Sequence, residues 1–315
     1  MSIKDFFLDR TVIASFDVRG FERHQRSFSD ADIPADLKGK VFLVTGANSG
    51  IGLAATRELS RRGGRVYMLC RNEERGTKAL QSILAENPGS DCRLEIVDVS
   101  LRKSVLAFSE RFGEAEVHGL LLNAGVLQNR RSETIEGIET TFATNVLGGF
   151  LLTQELSGPL SAGLGSVVHV SSGGMYTVKL SLSDWRWSRR PFDGVKAYAM
   201  TKRAQVVLAE LLQEKLSGNG VSVFSMHPGW VDTPSVQTAL PRFYASWKKF
   251  LRTPEQGADT AVWLLVRTPS PQPGGGFFFD RKSSDCYAVP FTRESQVARR
   301  ELWELCGRFQ AGLLR

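Results

Sequence analysis

From Lys40 onward the chain alternates short apolar runs with longer segments of helical periodicity, and this alternation constrains the fold more than any other feature. The intervening segments repeat apolar residues at helical spacing, and several end in glycine, which commonly stops a helix. The apolar runs are rich in valine, leucine and phenylalanine with little strict alternation, as expected of strands buried on both faces of a parallel sheet. The pattern predicts a single α/β domain with a doubly wound parallel sheet of about seven strands and helices on both faces. The runs lie at 40–46, 65–71, 93–99, 119–125, 166–172, 221–229 and, less regularly, 275–280.

Four segments fall outside this alternation. Residues 1–39 form an N-terminal extension before the domain at 40–282, and residues 283–315 form a C-terminal helical tail. Residues 173–196 and 231–256 each follow the carboxyl end of a strand, where open parallel sheets bind ligands. We therefore expect two substrate loops there, the alternative being plain surface connections. The amphipathic tail could dock on a partner subunit or a membrane, although packing on its own domain is favoured. For the N-terminal extension, the sequence does not distinguish between a helix on the protein surface and a segment that contacts a membrane.

Composition argues against several classes of function. The chain has 40 Lys+Arg against 33 Asp+Glu, a net charge of +7, which suits an anionic cofactor, an acidic membrane surface or nucleic acid. The basic residues are scattered without interleaved aromatics, so we expect no nucleic-acid partner. The four cysteines form no C-x-x-C pair and the four histidines show no paired spacing, so we expect neither a disulfide framework nor a metal site.

The N-terminus lacks the continuous apolar core of a signal peptide, and no apolar run is long enough to span a bilayer. We expect an intracellular, cytoplasmic protein whose contact with membranes, if any, is peripheral. The sequence does not fix the oligomeric state, and a homo-oligomer is possible.

The stretch TGANSGIG, residues 45–52, lies between the first strand and the next helix. Gly46, Gly50 and Gly52 permit a tight turn and close backbone approach, and the following helix directs free N–H groups at a pyrophosphate. The stretch therefore predicts a dinucleotide-binding loop, the alternative being a structural turn without a ligand.

The second strand ends in LCRNEER, with Arg71 at its carboxyl end and no acid before Glu73. An NAD-selective site places an acid there to accept from the ribose 2′-hydroxyl, whereas a 2′-phosphate is bound by arginine. We therefore expect Arg71 to favour NADP over NAD. The alternative is a solvated arginine at a strand end.

Tyr198 and Lys202 stand four residues apart in a segment of helical periodicity. Such residues share one helix face, with roughly 5–6 Å between their Cβ atoms. A lysine held there favours the phenolate and lowers the pKa of the tyrosine from about 10, which makes a proton donor usable near neutral pH. The alternative is an ordinary helix with one aromatic and one solvated charge.

Four motifs in this order carry a family resemblance: TGxxxGxG at 45–52, Asn-Ala-Gly at 123–125, a serine pair ending the fifth strand, and Tyr-x-x-x-Lys at 198–202. With them the chain resembles the short-chain dehydrogenase/reductase superfamily over about residues 40 to 280. The long insertion after HVSSGGM is similar to the retinol-dehydrogenase-like subgroup. The resemblance implies a Rossmann-like fold and an NADP(H)-dependent oxidoreductase acting on CH–OH or C=O groups.

The resemblance also implies catalytic roles. Tyr198 would be the general acid in carbonyl reduction or the base in alcohol oxidation, and Lys202 would lower its pKa and bind the nicotinamide ribose. Ser172, the second serine of the pair with Ser171, would hydrogen-bond the substrate oxygen. Asn145 would fix a helix irregularity and a water leading to Lys202.

Further residues are implied for the cofactor. Asp98 would receive the adenine amino group, and the 123–125 stretch would line the adenosine ribose. The residues that would border the nicotinamide are His227, Pro228, Gly229 and Thr233. His227 is disfavoured as a general base, because a strand-end histidine bonded to backbone is the simpler interpretation. The expected cofactor contacts are Gly46, Asn48, Ser49, Gly50, Ile51, Gly52, Arg71, Asp98, Val99, Asn123, Ala124, Gly125, Tyr198, Lys202, Pro228, Gly229 and Thr233.

The substrate is expected to be a small carbonyl or alcohol. The aromatic character of residues 231–250 and the resemblance together suggest a hydrophobic one, such as a retinoid, steroid or lipid-like molecule. The main alternative is a catalytically weak NADP-binding scaffold or sensor with the same fold. A third, an RNA- or membrane-associated basic module, draws only on net charge.

Overall fold

The computed structural model describes residues 15–266 and 274–314. The first fourteen residues of the predicted extension and the last residue of the predicted tail lie outside the described residues. The described strands are β1 (Val41–Thr45), β2 (Arg65–Cys70), β3 (Cys92–Ile96), β4 (Gly119–Leu122), β5 (Ser166–Val170), β6 (Ser222–Met226), β7 (Phe277–Phe279) and β8 (Lys282–Ser283).

One sheet contains these strands in the order β3-β2-β1-β4-β5-β6-β7-β8. The first seven strands of the chain pair in parallel, and β8 pairs antiparallel to β7. This confirms the doubly wound parallel sheet. The short β8 is additional to the seven predicted strands. It exists because Asp280 and Arg281 adopt φ values of 47° and 56°, which return the chain in a two-residue hairpin.

Several predicted strands are longer than the observed ones. The runs 93–99, 119–125 and 221–229 leave the sheet after Ile96, Leu122 and Met226. Of their remaining residues, Val97, Val99 and His227 are buried in the loops that follow these strands. These loops form the carboxyl edge of the sheet.

The helices flank the sheet on both faces. They are α1 (Val18–Gln25), α2 (Gly50–Arg61), α3 (Glu73–Glu86), α4 (Arg102–Arg111), α5, α6 (Ser157–Ala162), α7 (Gly194–Leu216), α8 (Pro234–Ala239), α9 (Pro241–Trp247), α10 (Pro254–Val266) and α11 (Gln296–Gln310). Helix α5 consists of Thr140–Phe142, a π-helical segment Ala143–Leu147, and Gly148–Glu155.

Two hydrophobic clusters form the core, one on each face of the sheet. In β1, Phe42 and Val44 face α2, α3 and α10, whereas Val41 and Leu43 face α4, α5, α7 and α11. Side chains alternate across a strand, so a strand buried on both sides must be apolar at every position. This explains the continuous apolar runs.

The C-terminal helix α11 packs on the domain itself. Its Leu302, Leu305, Cys306 and Phe309 are buried in the cluster that also contains α5 and α7. Among residues 15–266 and 274–314, no helix combines the length and apolar character needed to cross a bilayer.

Candidate active site

A cleft of about 500 Å³ follows the carboxyl edge of the sheet. It crosses the point where the strand order reverses between β1 and β4, the usual ligand position in doubly wound sheets. Of the predicted site residues, only Gly52, Asn145 and His227 do not line it. Those that line it are Gly46, Asn48, Ser49, Gly50, Ile51, Arg71, Asp98, Val99, Asn123, Ala124, Gly125, Ser172, Tyr198, Lys202, Pro228, Gly229 and Thr233.

The backbone conformation and packing of the glycine-rich loop after β1 require glycine at three positions. Gly46 and Gly50 have φ values of 66° and 53°, a region that L side chains rarely adopt. A Cβ on Gly50 would lie 3.1 Å from Thr233 Cγ2. Gly52 lies behind the loop, where a Cβ would be 2.5 Å from the Gly46 carbonyl oxygen. Gly52 therefore serves close packing between α2 and the loop.

The N-terminus of α2 opens into the cleft. Ser49 occupies its N-cap position but makes no side-chain capping hydrogen bond. Since the first N–H groups of a helix lack intrahelical partners, those of this turn remain available to an anion. The loop and this helix end fit the pyrophosphate of a dinucleotide.

Asn123 ties the end of β4 to this loop. Its Nδ2 donates to the Thr45 carbonyl oxygen at 2.9 Å, and the Thr45 hydroxyl accepts from the N–H groups of Asn123 and Ala124, also at 2.9 Å. Asn123 thus holds the two loops in register while lining the cleft.

The end of the cleft near β2 and β3 is polar. Arg71 is exposed there, and Asn72 caps α3 by accepting from the Arg75 N–H at 2.9 Å. Arg75 also lines the cleft, which we did not predict; its place in the first turn of the helix that follows β2 is a usable signal. The Asp98 carboxylate accepts from the Ser100 N–H and hydroxyl at 2.9 and 2.7 Å, so its position is fixed.

The opposite end holds Ser172, Tyr198 and Lys202. Ser172 stands close enough to Tyr198 to lower the pKa of the tyrosine. Lys202 Nζ donates to the Val170 carbonyl oxygen at 2.8 Å and lies 5.3 Å from the centre of the Tyr198 ring. Two hydroxyl groups and one amine therefore meet beyond the end of β5.

The prediction that Lys202 lowers the pKa of Tyr198 is wrong for the protein alone. Burial raises the pKa of Tyr198 to about 12, and the nearby Ser172 side chain only partly offsets this. Burial also lowers the pKa of Lys202 to about 7. The reason is that both groups share a site with little water, where each charged form is disfavoured.

Asn145 lies inside the π-helical segment of α5, the irregularity that the resemblance implied. Its Oδ1 accepts from the Val126 N–H at 2.8 Å, and its Nδ2 donates to the Thr201 hydroxyl at 2.9 Å. A Cβ on Gly125 would be 3.3 Å from Lys202 Nζ and 3.5 Å from Asn145 Oδ1. Asn145 thus stands next to the amine and links α5 to α7, although it does not line the cleft.

Ser171 and His227, which adjoin the cleft residues, form hydrogen bonds with the backbone. Both serines line the cleft, but the Ser171 hydroxyl is buried and donates to the Lys202 carbonyl oxygen at 2.8 Å. Ser172 is therefore the serine whose hydroxyl does not serve the backbone of α7. His227 Nδ1 accepts from the Gly229 N–H at 3.0 Å, as the backbone-bonded interpretation expected. Burial lowers the pKa of His227 to about 3, which leaves it neutral.

Apolar side chains form the remaining wall near Ser172. The predicted substrate loop 231–256 contains α8 and α9 and contributes several of them. From the other predicted loop, 173–196, only Gly174, Thr177 and Val195 line the cleft. The apolar residues that individual motifs did not reveal are Leu127, Val195, Trp230, Val236, Leu240 and Phe243.

Two buried arginines behind the site were also missed. Arg203 donates to the carbonyl oxygens of Met175 and Cys286, at 2.9 and 2.8 Å. Arg252 pairs with Asp280 at 2.6 Å and donates to the Pro228 carbonyl oxygen at 3.3 Å. Local sequence offers no signal for either, because arginine is ordinarily exposed.

Fold and cleft together are those of an α/β oxidoreductase that binds a nicotinamide dinucleotide. A sequence model of the family described as short chain dehydrogenase matches residues 40–242. The chain belongs to this family of short-chain dehydrogenases/reductases.

Named relatives support this assignment. The human protein named dehydrogenase/reductase SDR family member 12 is 41% identical over 285 residues, which cover 90% of this chain and 89% of that protein. Human retinol dehydrogenase 12 is 34% identical over 274 residues, which cover 85% of each chain. A crystal structure of an uncharacterized protein from Mycobacterium paratuberculosis has a TM-score of 0.69 and 25% identity, covering 90% of this chain and 97% of that chain. The chain is therefore similar to retinol-dehydrogenase-like members of the family.

Proposed function

We propose that this protein is an NADP(H)-dependent oxidoreductase that interconverts a carbonyl and an alcohol on a small hydrophobic substrate. The observation that carries the proposal is that Ser172, Tyr198 and Lys202 line the same cleft as the glycine-rich loop. A bound nicotinamide would supply or accept the hydride, and the protein would supply positioning and proton transfer.

The preference for NADP rests on charge near the end of β2. Arg71 and Arg75 both line the cleft there, and both are exposed. Each can donate to a 2′-phosphate, and charge-assisted hydrogen bonds are stronger than neutral ones. The acids next in sequence, Glu73 and Glu74, do not line the cleft. This arrangement favours a cofactor with the additional phosphate.

The proton chemistry follows from the buried pair. Because the pKa of Tyr198 is about 12, its hydroxyl is protonated at neutral pH and can act as the acid in carbonyl reduction. Ser172 offers a second donor to the same oxygen, as in an oxyanion hole. The ammonium form of Lys202, present below about pH 7, would stabilise the phenolate left after the proton is donated.

The substrate class rests on the wall near β6. Trp230, Leu240 and Phe243 line the cleft beyond the end of that strand, on the same side as Pro228. Apolar walls with a few convergent polar groups are typical of sites for small hydrophobic ligands. A retinoid, steroid or lipid-like carbonyl fits this description.

Turnover tests the proposal directly. We would measure NADPH and NADH oxidation with a panel of aliphatic, retinoid and steroid carbonyls, and NADP reduction with the corresponding alcohols. Tyr198→Phe should lower turnover by about 10²–10³-fold, because it removes a donor to the reacting oxygen. Tyr67→Phe is the matched control, since its hydroxyl bonds Glu114 and does not line the cleft. Tight NADPH binding without turnover in either direction would instead favour a scaffold or sensor.

A second experiment tests the cofactor preference. Arg71→Asp should weaken NADPH binding by about 10–100-fold, the range for a lost charged hydrogen bond, and NADH binding much less. Arg130→Asp makes the same change of charge at an exposed position outside the cleft and should alter neither affinity. Equal losses for both cofactors in Arg71→Asp would contradict the role of this arginine.

A further inference from the structure

The N-terminal segment before α1 reaches the back of the active site. The Phe16 ring is buried there, with its centroid 4.2 Å from that of His227 and 5.2 Å from that of Phe279. The ring also touches Gly173, where a Cβ would lie 2.7 Å from Phe16 Cε2 and 3.7 Å from His227 Cε1. Phe16 therefore stands between the segment that follows β5 and the segment that follows β6.

Backbone hydrogen bonds hold Phe16 in this position. Its carbonyl oxygen accepts from the Trp230 N–H at 2.7 Å and from Arg252 Nε at 3.0 Å. The Arg252 guanidinium also donates to the carbonyl oxygens of Ser15 and Pro228, at 2.7 and 3.3 Å. One buried arginine thus joins the N-terminal segment to the loop after β6.

Both segments that touch Phe16 carry cleft residues. Ser172 immediately precedes Gly173, and Pro228 and Gly229 immediately follow His227. Protein interiors are close-packed, so a ring between two loops sets their separation. A change in that separation would change the distance between the Ser172 hydroxyl and Tyr198.

We propose that Phe16 is a positioning residue for catalysis, a wedge that holds Ser172 and the 227–230 segment in their working geometry. The inference rests on the proposed oxidoreductase function. It makes the N-terminal segment part of the active site, although that segment lies far from the catalytic motifs in sequence. A displacement of about 1 Å at a reacting centre can reduce turnover by about 10²-fold.

Kinetics of Phe16 variants test the proposal. Phe16→Ala should lower kcat by about 10–100-fold. The Kd for NADPH should rise by less, because the glycine loop is untouched and only Pro228 and Gly229 among the expected cofactor contacts are displaced. Phe16→Leu keeps much of the volume and should retain most of kcat. Phe108→Ala is the control: its ring is buried in α4, packs on Phe112 and does not line the cleft. It should lose thermal stability and keep kcat. A full kcat in Phe16→Ala, or an equal fall in Phe108→Ala, would overturn the proposal.

A double-mutant cycle of Phe16 with Gly173 distinguishes an effect of the contact between the two residues from a general loss of stability. The φ of Gly173 is outside the left-handed region, so alanine fits its backbone and only the Phe16 ring obstructs the methyl group. Gly173→Ala should therefore lower kcat in the wild-type background and have little effect when Phe16 is already alanine. The same fold loss in both backgrounds would show that the ring does not act through this contact.

Hydrogen exchange gives a measurement that needs no substrate. In Phe16→Ala, the amides of residues 173–177 and 229–232 should exchange faster, whereas in Phe108→Ala they should not. Unchanged exchange in both segments would refute the wedge. If the wild type turns over no carbonyl or alcohol, the proposed function fails, and the exchange result still decides whether Phe16 orders the two segments.

Discussion

Gly52→Ala tests how closely the cofactor loop depends on the helix behind it. The added Cβ would lie 2.5 Å from the Gly46 carbonyl oxygen and 2.6 Å from Asn123 Nδ2, against an ordinary contact of at least 3.4 Å. Either the loop or α2 must move by nearly 1 Å, so the 2.9 Å bond between Asn123 and Thr45 should also be strained.

The expected magnitude combines two opposing effects. Alanine in place of glycine in a helix gains about 0.5–1 kcal/mol, whereas overpacking a rigid site costs about 1–3 kcal/mol. We therefore expect Gly52→Ala to destabilise the protein by about 1–2 kcal/mol. The displaced loop should also weaken NADPH binding by about tenfold or more.

Urea unfolding and NADPH fluorescence titration would measure the two effects. Gly307→Ala is the matched control, because Gly307 lies in α11 and a Cβ there meets nothing within 4 Å. It should stabilise the protein by about 0.5–1 kcal/mol and leave NADPH affinity unchanged. If Gly52→Ala behaves like Gly307→Ala in both assays, the account of the loop is wrong.

Two further predictions concern buried charge. Burial, with a smaller contribution from Lys202, lowers the pKa of His169 from 6.5 to about 3. As pH falls from 6.5 toward 3, the unfolded chain gains this proton first, so stability is lost at about 1.4 kcal/mol per pH unit. His169→Leu should reduce the slope of unfolding free energy against pH by that amount in urea titrations. An unchanged slope would contradict the lowered pKa of His169. Arg252→Met leaves Asp280 buried without its guanidinium and should cost about 3–5 kcal/mol, whereas Arg61→Ala, at an exposed pair, should cost less than about 1 kcal/mol. Similar costs in urea unfolding would contradict the importance of burial.

Local sequence was sufficient to predict the strands, the glycine-rich loop after β1 and the helix that carries Tyr198 and Lys202. A strand buried on both faces requires an apolar residue at each position, so the runs that became β1, β4 and β5 were readable without neighbours. The glycine spacing at 46–52 and the Tyr198–Lys202 pair are also local patterns, since each depends on one turn of backbone.

Only the tertiary structure decided which distant residues meet. Arg252 comes together with Asp280 and the carbonyl oxygens of residues 15–17, and Phe16 reaches Gly173, through contacts between parts of the chain that no periodicity relates. It also decided the direction of the pKa shift of Tyr198. Helical spacing predicts that an amine approaches a phenol, but the protonation of both groups depends on how much water the folded chain leaves around them. The sequence by itself therefore determined the fold and the groups proposed to react, and burial by distant segments determined the positions and the charge of these groups.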